Sequence, residues 1–163
     1  MSSTDAFLAN NARYAEQFQK GEVPVRPGKQ TVIVTCMDAR IETGRLLGLE
    51  EGDAHVIRNA GGVVTDDVLR SLVISQRLLG TREIMLIHHT GCGMLSFRDD
   101  EVKAEIEADT GLRPAFALEA FPDLEEDVRQ SIRRIMASPF VPVKDQIRGF
   151  VYDVETGRLH EVD

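Results

Sequence analysis

The sequence predicts an α/β fold with a mainly parallel central sheet flanked by helices. Short apolar runs alternate along the chain with segments of helical periodicity, and this order is typical of right-handed βαβ crossovers. The run at 31–36 is β-branched and apolar, and the run at 83–88 is apolar at the consecutive positions 84–87, as expected for strands buried on both faces. A chain of 163 residues has the length of one domain, and we therefore predict a single domain over residues 1–163.

The N-terminal part of the chain predicts an arm followed by the first strands. Apolar residues at helical spacing indicate an amphipathic helix within a helical arm at residues 1–20. Prolines and glycines then indicate an extended linker, and the β-branched run after it indicates a buried strand. The predicted elements are, in order, helix 5–19, linker 21–28, strand 31–36, helix 43–47 and strand 55–58.

The clearest helix of the sequence follows at 66–79. Thr65 is a suitable N-cap, acidic residues occupy the first turn, and Gly80 follows the last turn. Later segments repeat the alternation and end in a predicted C-terminal strand pair. These elements are strand 83–88, helices 98–109 and 124–136, strand 147–154, a turn at 155–157 and a return strand ending at Val162.

Composition and charge exclude several classes of function. The chain has 19 Lys and Arg against 27 Asp and Glu, a net charge of −8, and no basic cluster. We therefore expect no nucleic-acid partner and no anionic membrane partner, because the electrostatic interaction would be repulsive. The N-terminal residues show neither a basic segment nor an apolar segment typical of a signal peptide, and the apolar runs are far shorter than a membrane span. These features predict a cytoplasmic protein.

Both cysteines follow predicted strands. Cys36 ends the first strand, and Cys92 follows the third strand with His89 three positions before it. Ligands of parallel sheets bind beyond the carboxyl ends of the strands, so these side chains are candidates for one site. Two thiolates and one imidazole with an open fourth position are typical of catalytic zinc, and soft sulfur disfavours magnesium or calcium. Two buried core cysteines or a redox pair are the alternatives.

Asp38 and Arg40 lie directly after Cys36. An arginine can hold a carboxylate by two charged hydrogen bonds and keep it ionised. A surface ion pair of little energetic value is the alternative interpretation. His88 should point to the opposite face of its strand from His89, where a hydrogen-bonded core histidine is expected.

In these motifs the sequence resembles the β-class carbonic anhydrases, in particular the short bacterial members. Three motifs carry the resemblance, and their order and separation make the combination specific. They are Cys36-x-Asp38-x-Arg40, Arg58-Asn59-Ala60-Gly61-Gly62 and His89-x-x-Cys92.

The resemblance implies a zinc enzyme, a carbonate dehydratase that hydrates carbon dioxide reversibly to bicarbonate and a proton through a zinc-bound hydroxide. It also implies one zinc ion per chain and a homodimer or larger homo-oligomer in which the N-terminal helix contacts the partner. By this resemblance the metal ligands are Cys36, His89 and Cys92, the catalytic residues are Asp38 and Arg40, and Gly61 and Gly62 lie beside the substrate.

Two departures from the family pattern concern the substrate pocket. Many longer members have a glutamine nine residues before the first cysteine, where this chain has Pro27, and Gln30 is too near the strand to be assumed equivalent. The chain also has no Trp, so the tryptophan-lined bicarbonate pocket of some members does not carry over.

Hydrolysis of carbonyl sulfide or carbon disulfide, which relatives on this fold perform, is the alternative function. A non-catalytic zinc-binding or thiol protein is an alternative from another class.

Overall fold

The computed structural model describes residues 2–163, and its helices and strands alternate as predicted. The strands are β1 (Thr31–Cys36), β2 (Ala54–Asn59), β3 (Glu83–His89), β4 (Ile147–Tyr152) and β5 (Leu159–Val162). The helices are α1 (Ser3–Glu16), α2 (Thr43–Leu47), α3 (Asp66–Arg77), α4 (Asp99–Thr110) and α5 (Leu124–Ala137). Short 3₁₀ turns at Ala60–Gly62 and Gly93–Leu95 follow β2 and β3.

The strands form one sheet in the order β2-β1-β3-β4-β5. The pairs β1–β2, β1–β3 and β3–β4 are parallel, and β4–β5 is antiparallel. This arrangement confirms the α/β fold with a mainly parallel sheet and a C-terminal strand pair. Because β1 lies between β2 and β3, the carboxyl ends of these three strands meet at one edge of the sheet.

Local hydrogen bonds explain where several elements begin and end. Helix α1 begins two residues before the predicted start, because Ser2 and Asp5 form a capping box in which each side chain accepts the other's backbone N–H. The Thr65 side chain accepts from Val68 N, as predicted for an N-cap. Strand β4 ends before the predicted boundary because the Asp153 carboxylate accepts from Glu155 N at 2.8 Å and closes the turn.

The core lies between the sheet and helices α3 and α5. Its largest apolar cluster joins buried side chains of β1 and β3 to side chains of both helices, among them Val34, Leu72, Leu86 and Ile135. His88 is fully buried, and its Nε2 lies 2.6 Å from Asp127 Oδ2 on α5. The predicted core role of His88 is therefore confirmed. None of the helices in the described part of the chain combines the length and the hydrophobicity that a membrane span needs.

Helix α1 buries none of its residues against its own chain. Its apolar side chains Phe7, Leu8 and Tyr14 are 66%, 64% and 52% exposed. Polar contacts connect this part of the chain to the rest of the molecule: the Tyr14 hydroxyl donates to Glu51 at 2.7 Å, and Lys20 Nζ lies 2.8 Å from Glu50. The helix ends at Glu16, three residues before the predicted end at 19, and its exposed apolar side chains are not buried against the described part of the chain.

Asp99 fixes the loop at residues 118–120. Its carboxylate accepts hydrogen bonds from the three main-chain N–H groups of this loop at 2.8, 3.2 and 2.9 Å. Partial burial opposes ionisation of Asp99, but these donors outweigh it and hold its pKa below the ordinary value. The loop leads directly into the buried Phe121, so Asp99 fixes the chain immediately before that ring.

Replacing Asp99 by asparagine is expected to lower the free energy of unfolding at pH 7 by about 1 kcal/mol, since the carboxylate is partly hydrated. Folding lowers the pKa of Asp99, so the ionised carboxylate stabilises the fold at pH values above its unfolded-state pKa of about 3.9. This stabilisation is lost as the pH falls through the lower pKa that Asp99 has in the folded state. Urea unfolding at pH 7 and at successively lower pH measures this effect, and the difference between the two proteins should shrink as the pH falls. Asp100→Asn, whose parent side chain is 86% exposed, is the control; an equal cost in both variants would contradict the prediction.

Candidate metal centre

Cys36, His89 and Cys92 converge at the carboxyl edge of the sheet. Their donor atoms all lie within 4.8 Å of one another, and the three residues are 5%, 0% and 5% exposed. Cys36 is the last residue of β1 and His89 is the last residue of the adjacent β3. Gly91, with φ +62°, provides a left-handed turn through which the chain brings Cys92 back to the site.

The hydrogen bonds of His89 leave one ring nitrogen free for a ligand. His89 Nδ1 donates to the Thr90 carbonyl at 2.9 Å, which places the proton on Nδ1 and a lone pair on Nε2. His89 Nε2 is buried and has no hydrogen-bond partner among the residues described. An unsatisfied buried nitrogen is unfavourable unless another group occupies the site, and a metal ion is such a group.

The two thiols differ in acidity. Burial by itself raises the pKa of Cys36, but the adjacent His89 ring and nearby main-chain N–H groups outweigh burial and lower the pKa to about 7. Burial raises the pKa of Cys92 to about 11, and the nearby Cys36 adds to this rise. A cation between the two sulfurs would favour both thiolates. Two sulfurs and one imidazole therefore fit a soft divalent ion such as zinc, with three protein donors.

Asp38 is held next to this cluster by Arg40. Asp38 Oδ1 accepts from Arg40 N and Nε at 2.9 Å each, and Oδ2 accepts from Arg40 Nη2 at 2.7 Å. The same Nη2 also donates to the Gly91 carbonyl at 3.0 Å. The Arg40 guanidinium holds the pKa of Asp38 far below its ordinary value, so the carboxylate stays ionised.

The orientation of Asp38 distinguishes this pair from a surface ion pair. Asp38 Oδ2 lies 3.7 Å from His89 Nε2, and the Asp38 side chain is only 17% exposed. One carboxylate oxygen therefore lies beside His89, while the half-exposed Arg40 side chain pairs with the same carboxylate. This geometry can supply a fixed hydrogen-bond acceptor to a small molecule at the cluster.

Gly61 and Gly62 pack directly against Cys36. Gly61 N donates to Cys36 Sγ at 3.3 Å. A Cβ atom on Gly62 would lie 2.9 Å from Cys36 N and from the Thr35 carbonyl carbon, and its φ of +71° also requires glycine. Both glycines thus support the first thiol of the cluster. Their position beside a substrate stays a prediction.

Replacing Gly62 by alanine is expected to destabilise the fold more than the same change at Gly80. Gly80 has a similar φ of +78°, but no atom lies within 4 Å of the point where its Cβ would be. Gly80→Ala therefore measures backbone strain alone, which costs about 1–2 kcal/mol. Gly62→Ala adds a collision with the backbone of β1, which costs about 1–3 kcal/mol more. Urea unfolding of both variants measures the difference, and equal costs would show that the close approach to Cys36 has no energetic importance.

Sequence reasoning missed the role of several residues around the cluster. Buried apolar side chains pack against the two cysteines: Ile41, Val63, Met94 and Phe121. They come from separate segments, and no pattern in the sequence connects them. Arg58 was visible only as part of a motif, whereas the structure shows that it donates to the Cys36 and Asp38 carbonyls. Gln30 precedes β1 at the amino end, about 20 Å of strand from Cys36, and so is remote from the site.

The fold and the cluster together define an α/β protein with a buried Cys-His-Cys centre at the carboxyl edge of a parallel sheet. The carbonic anhydrase family matches residues 31–159 of this chain. The chain is 60% identical to beta-carbonic anhydrase 1 of Mycobacterium tuberculosis over 162 residues, which cover 99% of each protein. The chain belongs to the β-carbonic anhydrase family.

A solved structure supports the fold, and a further sequence relative has a different named activity. The crystal structure of carbonic anhydrase from Streptococcus mutans superposes with a TM-score of 0.93 at 43% identity and covers 100% of this chain and 99% of that one. A carbon disulfide hydrolase of an Acidianus species is 34% identical over 182 residues, with coverage of 96% of this chain and 87% of the relative. The resemblance seen in the sequence motifs is therefore confirmed.

Proposed function

We propose that this protein is a zinc-dependent carbonic anhydrase, a carbonate dehydratase that interconverts carbon dioxide and bicarbonate. The observation that carries the proposal is the ionised Asp38 carboxylate, which Arg40 aims at a buried Cys-His-Cys cluster. A metal held only for structure has no need of an oriented acceptor beside it. The 60% identity to a named β-carbonic anhydrase over nearly the whole chain supports the same conclusion.

Cys36, His89 and Cys92 are the residues that would hold the ion, about one zinc per chain. When bound, zinc supplies the Lewis acidity that makes a water molecule nucleophilic near neutral pH. Asp38 would accept a hydrogen bond at the cluster and so fix the direction of the attacking lone pair. Arg40 would keep Asp38 ionised and prevent it from retaining a proton of the reaction.

The apolar surroundings of the cluster suit a non-polar linear substrate. Met94 and Phe121 are 8% and 5% exposed and pack in the same cluster as both cysteines. A carbon dioxide molecule has no net charge and can enter such surroundings without the desolvation cost of an ion. Bicarbonate is charged and would leave more readily towards the exposed Arg40 side.

The substrate test compares carbon dioxide with its sulfur analogues on the zinc-loaded protein. We expect stopped-flow measurements to detect hydration of carbon dioxide, and sulfide assays with carbonyl sulfide and carbon disulfide to detect little release. Sulfide release without hydration would replace this function by that of the Acidianus relative. Zinc binding without any turnover would favour a non-catalytic protein, and activity that resists zinc chelation but is lost on oxidation would favour a redox thiol pair.

We also propose that the protein is a homodimer or larger homo-oligomer in which α1 contacts a second copy. The support is that α1 exposes Phe7, Leu8 and Tyr14, and clustered exposed apolar side chains often mark a protein interaction surface. Residues 1–20 would then be an arm of a single domain that spans residues 1–163.

The free thiols of Cys36 and Cys92 are consistent with a reducing compartment, and we propose a cytoplasmic location.

Replacing Phe7 and Leu8 together by serine is expected to shift the protein towards monomer. Loss of two large apolar contacts should raise the dissociation constant by about 10-fold or more. Sedimentation velocity across a concentration series measures this shift. Leu112→Ser is the control, because Leu112 is 76% exposed and lies far along the chain from α1. A wild-type protein that sediments as a monomer at all concentrations would contradict the proposal.

A further inference from the structure

Arg58 on β2 crosses to the segment that follows β1. Its Nε donates to the Cys36 carbonyl at 2.9 Å, and its Nη2 donates to the Asp38 carbonyl at 2.8 Å. The two acceptors belong to a proposed metal ligand and to the proposed hydrogen-bond acceptor of the reaction. One guanidinium group therefore bridges the main chain of both.

The bridge lies where regular strand pairing ends. In the β1–β2 register Arg58 is opposite Thr35 and Asn59 is opposite Cys36, the last paired residue. Met37 N still donates to the Asn59 carbonyl at 2.8 Å, and beyond it the chain leaves the sheet. The Arg58 side chain continues the connection from β2 to this segment after the backbone ladder has stopped.

Arg58 directs its charge at neutral acceptors. Among residues 2–163, no carboxylate oxygen lies within 4 Å of its guanidinium nitrogens, whereas Arg40 pairs with Asp38. A guanidinium has several donors in a rigid plane and can hold two carbonyls at a fixed separation. The ammonium group of a lysine cannot reproduce this planar geometry.

We propose that Arg58 is a positioning residue of the active site, which fixes the main chain of Cys36 and Asp38 relative to each other. This inference rests on the proposed carbonic anhydrase function. Arg58 acts through the backbone: it keeps the thiol and the carboxylate in register, and it touches neither the metal nor the substrate. Displacement of a reacting group by about 1 Å can lower turnover by about 100-fold, so a residue that prevents such displacement affects the rate through the geometry of the reacting groups.

The test compares Arg58→Met, which keeps the length of the side chain and removes its donors, with Arg58→Lys. We expect Arg58→Met to retain about one metal ion per chain but to lower kcat about 10-fold to 100-fold, with KM changed less than about 3-fold. Arg58→Lys should restore part of kcat. In the cobalt-substituted proteins, the absorption bands of Arg58→Met should differ from those of the wild type, because they report the geometry of the donors.

Arg77→Met is the matched control, since Arg77 is also exposed and its Nε donates to a main-chain carbonyl, that of Phe140, at 3.0 Å. It should leave kcat and the cobalt spectrum unchanged. An Arg58→Met variant with wild-type kcat and spectrum would overturn the proposal. So would one that loses metal, stability and activity together and is not rescued by lysine, because that pattern indicates a merely structural role. Wild-type protein inactive towards carbon dioxide would refute the proposed function, while the cobalt spectra would still decide the role of Arg58.

Discussion

Replacing Cys36 by serine is expected to remove zinc from the protein and to abolish hydration of carbon dioxide. A serine hydroxyl is a hard, weakly acidic donor, and it cannot replace a thiolate in a site with three protein ligands. Loss of contacts that only support a metal ligand weakens metal binding about 10-fold to 100-fold, and loss of the ligand itself should weaken metal binding more than this. Metal analysis after dialysis, together with stopped-flow hydration, measures both effects.

The other two donors allow an internal check of this result. Cys92→Ser and His89→Gln should behave like Cys36→Ser, because all three donor atoms lie within 4.8 Å of one another and each would fill one coordination position. His160→Gln is the control for the histidine change, since His160 is exposed on β5. Full zinc content in any of the three site variants would contradict the assigned ligand set.

Replacing Asp38 by asparagine is expected to lower kcat by about 10²-fold or more while about one zinc per chain remains bound. The amide presents an N–H donor where the carboxylate has an acceptor, and it ends the charged pairing with Arg40. The metal donors themselves are unchanged, so the effect should appear in turnover and not in metal content. Stopped-flow kinetics and metal analysis on the same preparation separate the two.

Asp67→Asn provides a matched control for the Asp38 variant. Asp67 also pairs with an arginine, at 2.8 Å from Arg70 Nε, but both side chains are exposed on α3. Its removal should leave turnover unchanged, because exposed ion pairs contribute little. Unchanged activity of Asp38→Asn with zinc bound would show that the proposed mechanism is wrong even if the protein is a carbonic anhydrase.

Short-range signals predicted most of the elements correctly. The β-branched run gave β1 with both ends as observed, and Gly48, with φ +64°, ends α2 where expected. The end of α1 differs from the prediction by three residues, and the ends of α3 and β4 differ by two residues each. These ends depend on turn contacts, such as those of Asp153, which helical or strand periodicity does not report.

The candidate site was predictable where its residues are neighbours in sequence. His89 and Cys92 are separated by one turn, and Asp38 and Arg40 follow Cys36 directly, so their spacing alone suggested joint chemistry. The hydrogen bonds of Arg58 and the packing of Phe121 could not be predicted, because they join segments that meet only through the order of the strands. Exposure of the apolar residues of α1 was likewise not determined by their helical spacing.

The sequence by itself determined the types of secondary structure and the chemical identity of the donors, because both depend on local sterics and on the residues themselves. Only the tertiary structure decided that β1 lies between β2 and β3, and hence that Cys36 meets His89 and Cys92. The physical reason is that strand order follows from burial and hydrogen bonding summed over the whole chain. The same summed packing places Asp38 beside His89 and leaves the apolar side chains of α1 exposed.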